Sequence, residues 1–429
     1  MSKRKVKSGR TWGQRALAVE QLENRRLLAG DVDARKSGDT LIIRGDNDDN
    51  AIIITQEGNN RYRVTGVATD DGETEVNNRD SKVFKGIRNI NVDLRGGDDT
   101  LGVGNDEEAL IDLGEEFGLE FEGGDGPGDF ELPDSADQVR IRGSLIVRMG
   151  SGEDSVGLQV DVDRVVNINT SNGDDSVGVI GSEIGDDLII HTGDGNDGVI
   201  VAGTEVNDVL SVITGDDEDF VSVGSFIVFE EQFVEGPVSA RVLEIISGED
   251  DDSVNVADVF VEDIVVIITA DGEDSVSVLG GAIDGPLHVI TGNDDDVVFV
   301  EGSVSDEFLT FDDALEIDGN LLIDAGSGDD EVEVDFVNVD RDLLMFLGSG
   351  EDFVELFDVN VENFALVDMG SDDDTLNITA SSADHGVLNG GSEDDADTLN
   401  LFDEDVEDND DIDVVEFENV NDADDLSPT

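Results

Sequence analysis

Aspartate recurs along this chain at a spacing suited to cation chemistry. It stands at Asp154, Asp175, Asp197, Asp219, Asp252, Asp274, Asp296, Asp330, Asp352, Asp374 and Asp397, at intervals of 21, 22, 22, 33, 22, 22, 34, 22, 22 and 23 residues. Each closes an acidic turn that is usually glycine-rich, as in Gly150-Ser151-Gly152-Glu153-Asp154. The preceding position adds further acids, among them Glu153, Asp174, Glu218, Asp251 and Glu273. Carboxylates stacked about 5 Å apart repel by about 1 kcal/mol per pair in water, and by several times more near a protein surface. Calcium would convert that repulsion into cross-linking, because it takes about six to eight oxygens from carboxylates and carbonyls. Glycine-rich turns leave their carbonyls unobstructed. The eleven aspartates are therefore the candidate metal ligands. Turn chemistry alone is the other reading, with each Asp accepting hydrogen bonds from the amides of its own turn.

A fixed period of this length is the mark of stacked coils. Two and four residues after each Asp stand apolar pairs, such as Val156/Leu158, Val177/Val179 and Val354/Leu356. Nine and seven residues before it stand a second set, such as Leu145/Val147, Val166/Ile168 and Leu188/Ile190. A weaker column follows nine residues after, at Ile184, Val206, Val261, Ile283, Val339 and Val361. Apolar residues alternating at period two predict strands with one face buried. The fold class is thus all-β: a parallel β-solenoid, or β-helix, of about 22 residues per coil. The two long intervals predict insertions near 224–242 and 302–320. Separate small β domains do not fit the unbroken spacing.

Basic residues mark a different organisation at the start. Lys3, Arg4, Lys5, Lys7, Arg10, Arg15, Arg25 and Arg26 crowd residues 1–30, and no lysine follows Lys85. Residues 15–29 read as a short basic amphipathic helix with Leu17, Leu22, Leu27 and Leu28 on its apolar side. Leu22-Glu23-Asn24-Arg25-Arg26-Leu27-Leu28 resembles the LEPR-xLL motif of exported planctomycete-type proteins, with Asn24 where that motif has proline. The resemblance implies a targeting or processing segment and an exported protein. Residues 31–135 read as irregular opening coils, with Asp49 and Asp99 starting the acidic pattern and Asp129 a displaced member. The regular array covers 136–402. An acidic cap or tail follows at 403–429, with a last strand at 414–417.

Composition narrows the partners. With 24 Lys+Arg against 107 Asp+Glu, the formal charge is −83, which opposes compaction until salt or cations relieve it. Nucleic acid and anionic lipid need basic patches and are excluded as partners. The hydrophobic share of 38% is too high for a simple disordered polyanion. There is no cysteine, and no apolar run reaches the roughly 18 residues of a membrane span.

The turns resemble the repeats of the RTX (haemolysin-type) calcium-binding family, Gly-Gly-x-Gly-x-Asp-x-U-x. Gly193-Asp194-Gly195-Asn196-Asp197-Gly198-Val199 and Gly326-Ser327-Gly328-Asp329-Asp330-Glu331-Val332 follow it except at the second glycine. That resemblance implies Ca2+ ions between coils, held by Asp and backbone oxygens. The chain departs from it in having one turn per coil rather than consecutive nonapeptides. Asp217, Asp250, Asp294 and Asp372 also replace the inner glycine.

No nucleophile elbow, phosphate loop or histidine pair at metal-ligand spacing is present. His191, His288 and His385 are isolated, with His191 and His288 in the outward register of their strands. From Arg164 onward the regular array holds only Arg164, Arg241 and Arg341 as Lys or Arg cations, too few for lyase chemistry on charged sugars. Phe229, Phe233, Phe308 and Phe311 in the insertions are candidate contact residues. The expectation is a secreted or cell-surface, non-enzymatic, calcium-binding structural or adhesive solenoid, with surface glycans or surface proteins as partners. A carbohydrate-active β-helix enzyme (lyase or hydrolase) is the alternative.

Overall fold

The computed structural model describes residues 30–69, 72–105, 138–228, 232–234, 236–305, 310–391, 396–402, 412–415 and 419–422. The basic leader with its expected helix, and Asp129, lie outside them.

The described chain is all-β, and its strands are mostly parallel. Thirty-five strands join one continuous sheet. The regular coils contribute three columns of strands. The first holds Leu145–Ser151, Val166–Asn172 and Leu188–Asp194 and their successors. The second holds Ser155–Leu158, Ser176–Ile180 and Gly198–Ala202, and the third Val160–Val162, Glu183–Ile184 and Glu205–Val206. Each strand pairs in parallel with its equivalent in the next coil, so Val147 meets Ile168 and Ile168 meets Ile190. Like residues therefore stack, and the inward columns form one thin core in which Val147, Ile168, Val177 and Val199 are fully buried. Burying each such side chain stabilises the fold by roughly 1.5–3 kcal/mol, offset in part by the ordering it requires.

The opening residues belong to the same sheet. Thr40–Arg44 pairs in parallel with Asn89–Gly96, which pairs in turn with Leu145–Ser151. Ala51–Gly58, Arg61–Gly66 and Ser81–Lys85 form an antiparallel meander beside them, and Asp31–Ser37 folds back antiparallel on Thr40–Arg44. This irregular start covers the end of the stack, where an open strand edge would otherwise invite pairing.

The long intervals are coils with inserted hairpins. Phe226–Val228 pairs antiparallel with Gln232–Val234, and Ser303–Ser305 with Thr310–Asp313. The regular winding resumes at Val238 and at Leu315, so both insertions end earlier than the expected 242 and 320. Thr100–Val103 pairs directly with Ser155–Leu158, which leaves no ladder position between Asp99 and Asp154 for Asp129 to fill. The additional residues of that interval form another insertion. Every insertion leaves from one corner, between the second and third columns of strands. At the far end Ile412–Val415 and Asn419–Asp422 pair with Ser382–Asn389 and Thr398–Leu401. The winding therefore continues into the tail: the strand expected at 414–417 begins two residues earlier, at Ile412, and a further strand, Asn419–Asp422, follows it.

Candidate functional site: a buried aspartate ladder beside an acidic rim

The turn between the first and second columns is sharp because neighbouring coils touch there through their backbones. Gly193 holds φ +117°, and a Cβ at that position would lie 1.3 Å from the Ser171 carbonyl oxygen. The chain then runs outward through the acidic residues and returns inward at the aspartate.

All eleven expected aspartates occupy this inward position. Asp154, Asp175, Asp197, Asp252, Asp274, Asp296, Asp330, Asp352, Asp374 and Asp397 are at most 2% exposed, and Asp219 is 4% exposed. The Asp154 N–H donates to Oδ1 of Asp175 at 2.8 Å, Asp175 N–H to Asp197 at 2.8 Å, and Asp197 N–H to Asp219 at 2.8 Å. The run continues through Asp252, Asp274, Asp296, Asp330 and Asp352 at 2.8–2.9 Å and reaches Asp397 at 3.1 Å. The acceptor thus serves the amide of the neighbouring coil, not its own turn as turn chemistry alone predicted. Carbonyls bind the same neighbours, as in Ser176 N–H to the Asp154 oxygen at 2.8 Å.

Two further members extend the ladder. Asp99 N–H donates to Asp154 at 2.8 Å, and Asn50 N–H to Asp99 at 2.7 Å. Asn50, fully buried, takes the first rung, where the sequence pattern had pointed to Asp49. Asp49 sits one residue out, accepting from the Asp98 N–H at 2.9 Å. An amide has the shape of a carboxylate, so a search for acids alone passes over Asn50.

The second oxygen is the ladder's open valence. Oδ2 of Asp99, Asp154, Asp175, Asp197, Asp219, Asp252, Asp274, Asp296, Asp330 and Asp352 is buried without a well-formed partner. Five residues before the Asp, six central coils place a fully or almost fully buried hydroxyl: Thr170, Thr192, Thr214, Ser247, Thr269 and Thr291. Period alone did not reveal this column, because Met149, Ala325, Leu347 and Met369 fill the same place in other coils. The threonine hydroxyls donate along the stack, Thr170 to the Thr192 carbonyl at 3.2 Å and Thr214 to the Ser247 carbonyl at 3.0 Å. A hydroxyl has one proton, which can go either to that carbonyl or to the neighbouring aspartate carboxylate.

Burial accordingly raises these carboxyls far above the ordinary aspartate range. Asp154, Asp197 and Asp352 are pushed up to about 8, and Asp99, Asp219, Asp252 and Asp296 to about 7. Asp175 and Asp330 reach about 6. Desolvation is the largest cause throughout, opposed by the hydrogen bonds from the neighbouring amides and, in the central coils, from the Thr or Ser hydroxyls.

One residue earlier runs a second column with the opposite character. Glu153, Asp174, Glu218, Asp251, Glu273, Asp295, Asp329, Glu351 and Asp373 are all exposed. Where Asp stands there, its Oδ1 accepts from the next coil in the reverse direction. Glu273 N–H donates to Asp251 at 2.9 Å and Glu351 N–H to Asp329 at 2.8 Å. Asp217, Asp250, Asp294 and Asp372, in the inner-glycine place, hold φ of 80°, 80°, 77° and 92°. That region costs a side chain about 1–2 kcal/mol, so these coils accept strain where glycine would avoid it. Among the described residues, no three acidic or histidine side chains converge on a single ion position. The carboxylates are strung along columns at one-coil spacing.

The other expected candidates are scattered. His191 and His288 point outward and are half-buried, while His385 is exposed. Arg241 is held between Asp208 and Asp263, and Arg164 lies 3.6 Å from Asp186. The side chains of Phe229, Phe233, Phe308 and Phe311 lie outside the description. Two open grooves of about 280 and 310 Å³ run along the third column, the first around Arg241 and Phe260.

No protein-family model matches this chain, and no curated protein does. Among solved structures, it is similar to a hyperactive, Ca2+-dependent, β-helical antifreeze protein from an Antarctic bacterium. The two share 18% identity at a TM-score of 0.36, over 78% of this chain and 87% of that one. So distant a likeness transfers no property of that protein.

Proposed function

We propose that the chain is an exported, non-enzymatic β-solenoid that serves as a cation-stiffened structural element at the cell surface or in the extracellular matrix. The observation that carries this reading is the pair of adjacent carboxyl columns. The inner one holds coil to coil by hydrogen bonds. The outer one accumulates exposed charge at most coils, and some coils accept a strained backbone to add to it. Such an arrangement favours a hard cation bridging neighbouring turns.

The residues fit calcium in two ways. The rim supplies exposed carboxylates beside glycine-rich turns, and the ladder supplies buried Oδ2 atoms, of which those of Asp99, Asp154, Asp330 and Asp352 have no hydroxyl beside them. An ion there would be shared between coils, with ligands from at least two of them. Calcium supplies charge neutralisation and cross-linking, and the chain's own residues supply the oxygens. Low calcium before export would leave the polyanion loose, and binding to the folded state would stabilise it afterwards. The basic leader and its LEPR-xLL-like residues support export, and the inserted hairpins offer an adhesive surface.

The test is thermal unfolding and small-angle scattering of the full chain in chelator, in millimolar calcium and in matched magnesium. A calcium-specific rise in Tm with extension of the particle supports the reading. Equal stability and dimensions in chelator and calcium would overturn it.

A further inference from the structure

The outward face of the first column of strands changes character along the stack. In the early coils it carries Arg148, Asn169 and His191 at one outward position. In the fourth to seventh regular coils that position holds Ile213, Ile246, Ile268 and Ile290, in direct register with one another, followed by Asp324, Phe346 and Asp368. The neighbouring outward position continues the apolar surface with Leu322, Leu344 and Leu366. These side chains are half-buried only by their neighbours in the sheet, whereas Val212, Ile245, Ile267 and Val289, between them in sequence, face the core and are fully buried. Nothing among the described residues covers this face, and the insertions leave from the corner opposite to it.

We infer that this apolar face is where two copies of the chain associate. Its size fits a stable dimer. Seven strands about 4.8 Å apart, with three outward positions about 6.7 Å apart, give roughly 600–700 Å² per copy. Two copies would bury about 1,300 Å² in total, within the range of specific interfaces. Its chemistry selects the partner. A chain of charge −83 repels its own kind over most of its surface, and acids line the turn rim and much of the third column. On this face acids are sparse, at Glu244, Asp324, Asp342 and Asp368, so two copies can meet here with few carboxylates opposed. A cationic partner would gain more at the acidic columns than on isoleucine. An unbroken sheet also presents the flat surface that a second flat sheet requires.

Sedimentation velocity of the full chain in chelator, at about 0.05 M and about 0.5 M salt, tests this, since the screening length falls about threefold between them. The expected result is a dimer at the higher salt that dissociates at the lower. Ile246→Glu with Ile268→Glu should weaken dimerisation at least tenfold while leaving the circular dichroism unchanged, because both side chains point outward. Ala282→Glu on the third column, which adds one charge elsewhere, should leave the dimer intact. A monomer at both salts up to about 100 µM overturns the inference, as does a dimer that survives the double variant. Binding of lysozyme as a cationic probe that weakens with salt and is lost in the double variant would assign the face to a basic partner instead.

Discussion

Two columns of carboxyls run side by side through this molecule, one residue apart in sequence, and they are opposites. The inner column is buried, accepts backbone N–H groups from one direction, and holds its protons to about pH 6–8. The outer is exposed and accepts from the other direction. Aspartates of both columns accept backbone amides, but the inner carboxyls are shut away from water and the outer ones stay exposed to it. Burial separates them, since it penalises the ionised form only where water is excluded.

The largest expected effect separates the columns by pH. Unfolded aspartates release their protons near 3.9, while the ladder holds them to about 6–8. Between these values the native state binds more protons, so stability is greatest at the acid end and falls as pH rises. Thermal unfolding in chelator should therefore give a Tm that drops from pH 5 to pH 8 by more than any single substitution changes it. A flat or rising profile would mean that the inner column is ionised and compensated by something other than protons.

Next in size is loss of one rung. Asp274→Ala removes the acceptor of the Asp252 N–H and should cost about 1–3 kcal/mol in urea unfolding. Asp274→Asn keeps an oxygen as acceptor for the Asp252 N–H, and should be near neutral at acid pH and increasingly stabilising as pH rises, because burial raises the Asp274 carboxyl that it replaces. If the asparagine variant is as damaged as the alanine one, the ladder requires a carboxyl for a reason other than this hydrogen bond. A smaller loss, about 1 kcal/mol, is expected for Thr214→Val, which removes the donor to the Ser247 carbonyl. The smallest is Asp251→Asn on the rim, within about 0.5 kcal/mol in chelator. Its signature should be a reduced Tm gain on adding calcium. An unchanged gain would remove that rim position from any cation site.

The stack was legible in the sequence because identical residues recur wherever identical neighbours must pack. The Val156/Leu158 and Leu145/Val147 columns needed only period-two alternation to be found, and the structure buries all four. The ladder positions were legible too, but not their direction. A turn-forming composition around Asp154 reads as surface, and only the three-dimensional register shows the side chain turned inward to the preceding coil's amide. The threonine column and Asn50 escaped notice for a related reason. Each occupies a shared place with residues of different chemistry, Met149 or Asp99, so no single letter fills the place in every coil. The apolar outward face was hidden by the same alternation that revealed the core. Ile246 and Ile268 stand beside inward residues in strands apolar on both faces, and such runs lose the clean two-sided pattern.

All the inserted segments leave from a single corner, after Thr100–Val103, Phe220–Gly224 and Val297–Glu301. The two hairpins lie three strand spacings apart along the second column, or about 14 Å. The molecule thus works as a ruled mast: appendages can be lengthened, exchanged or erased at that edge without disturbing a rung. Their separation along the axis can change only in whole steps of one coil.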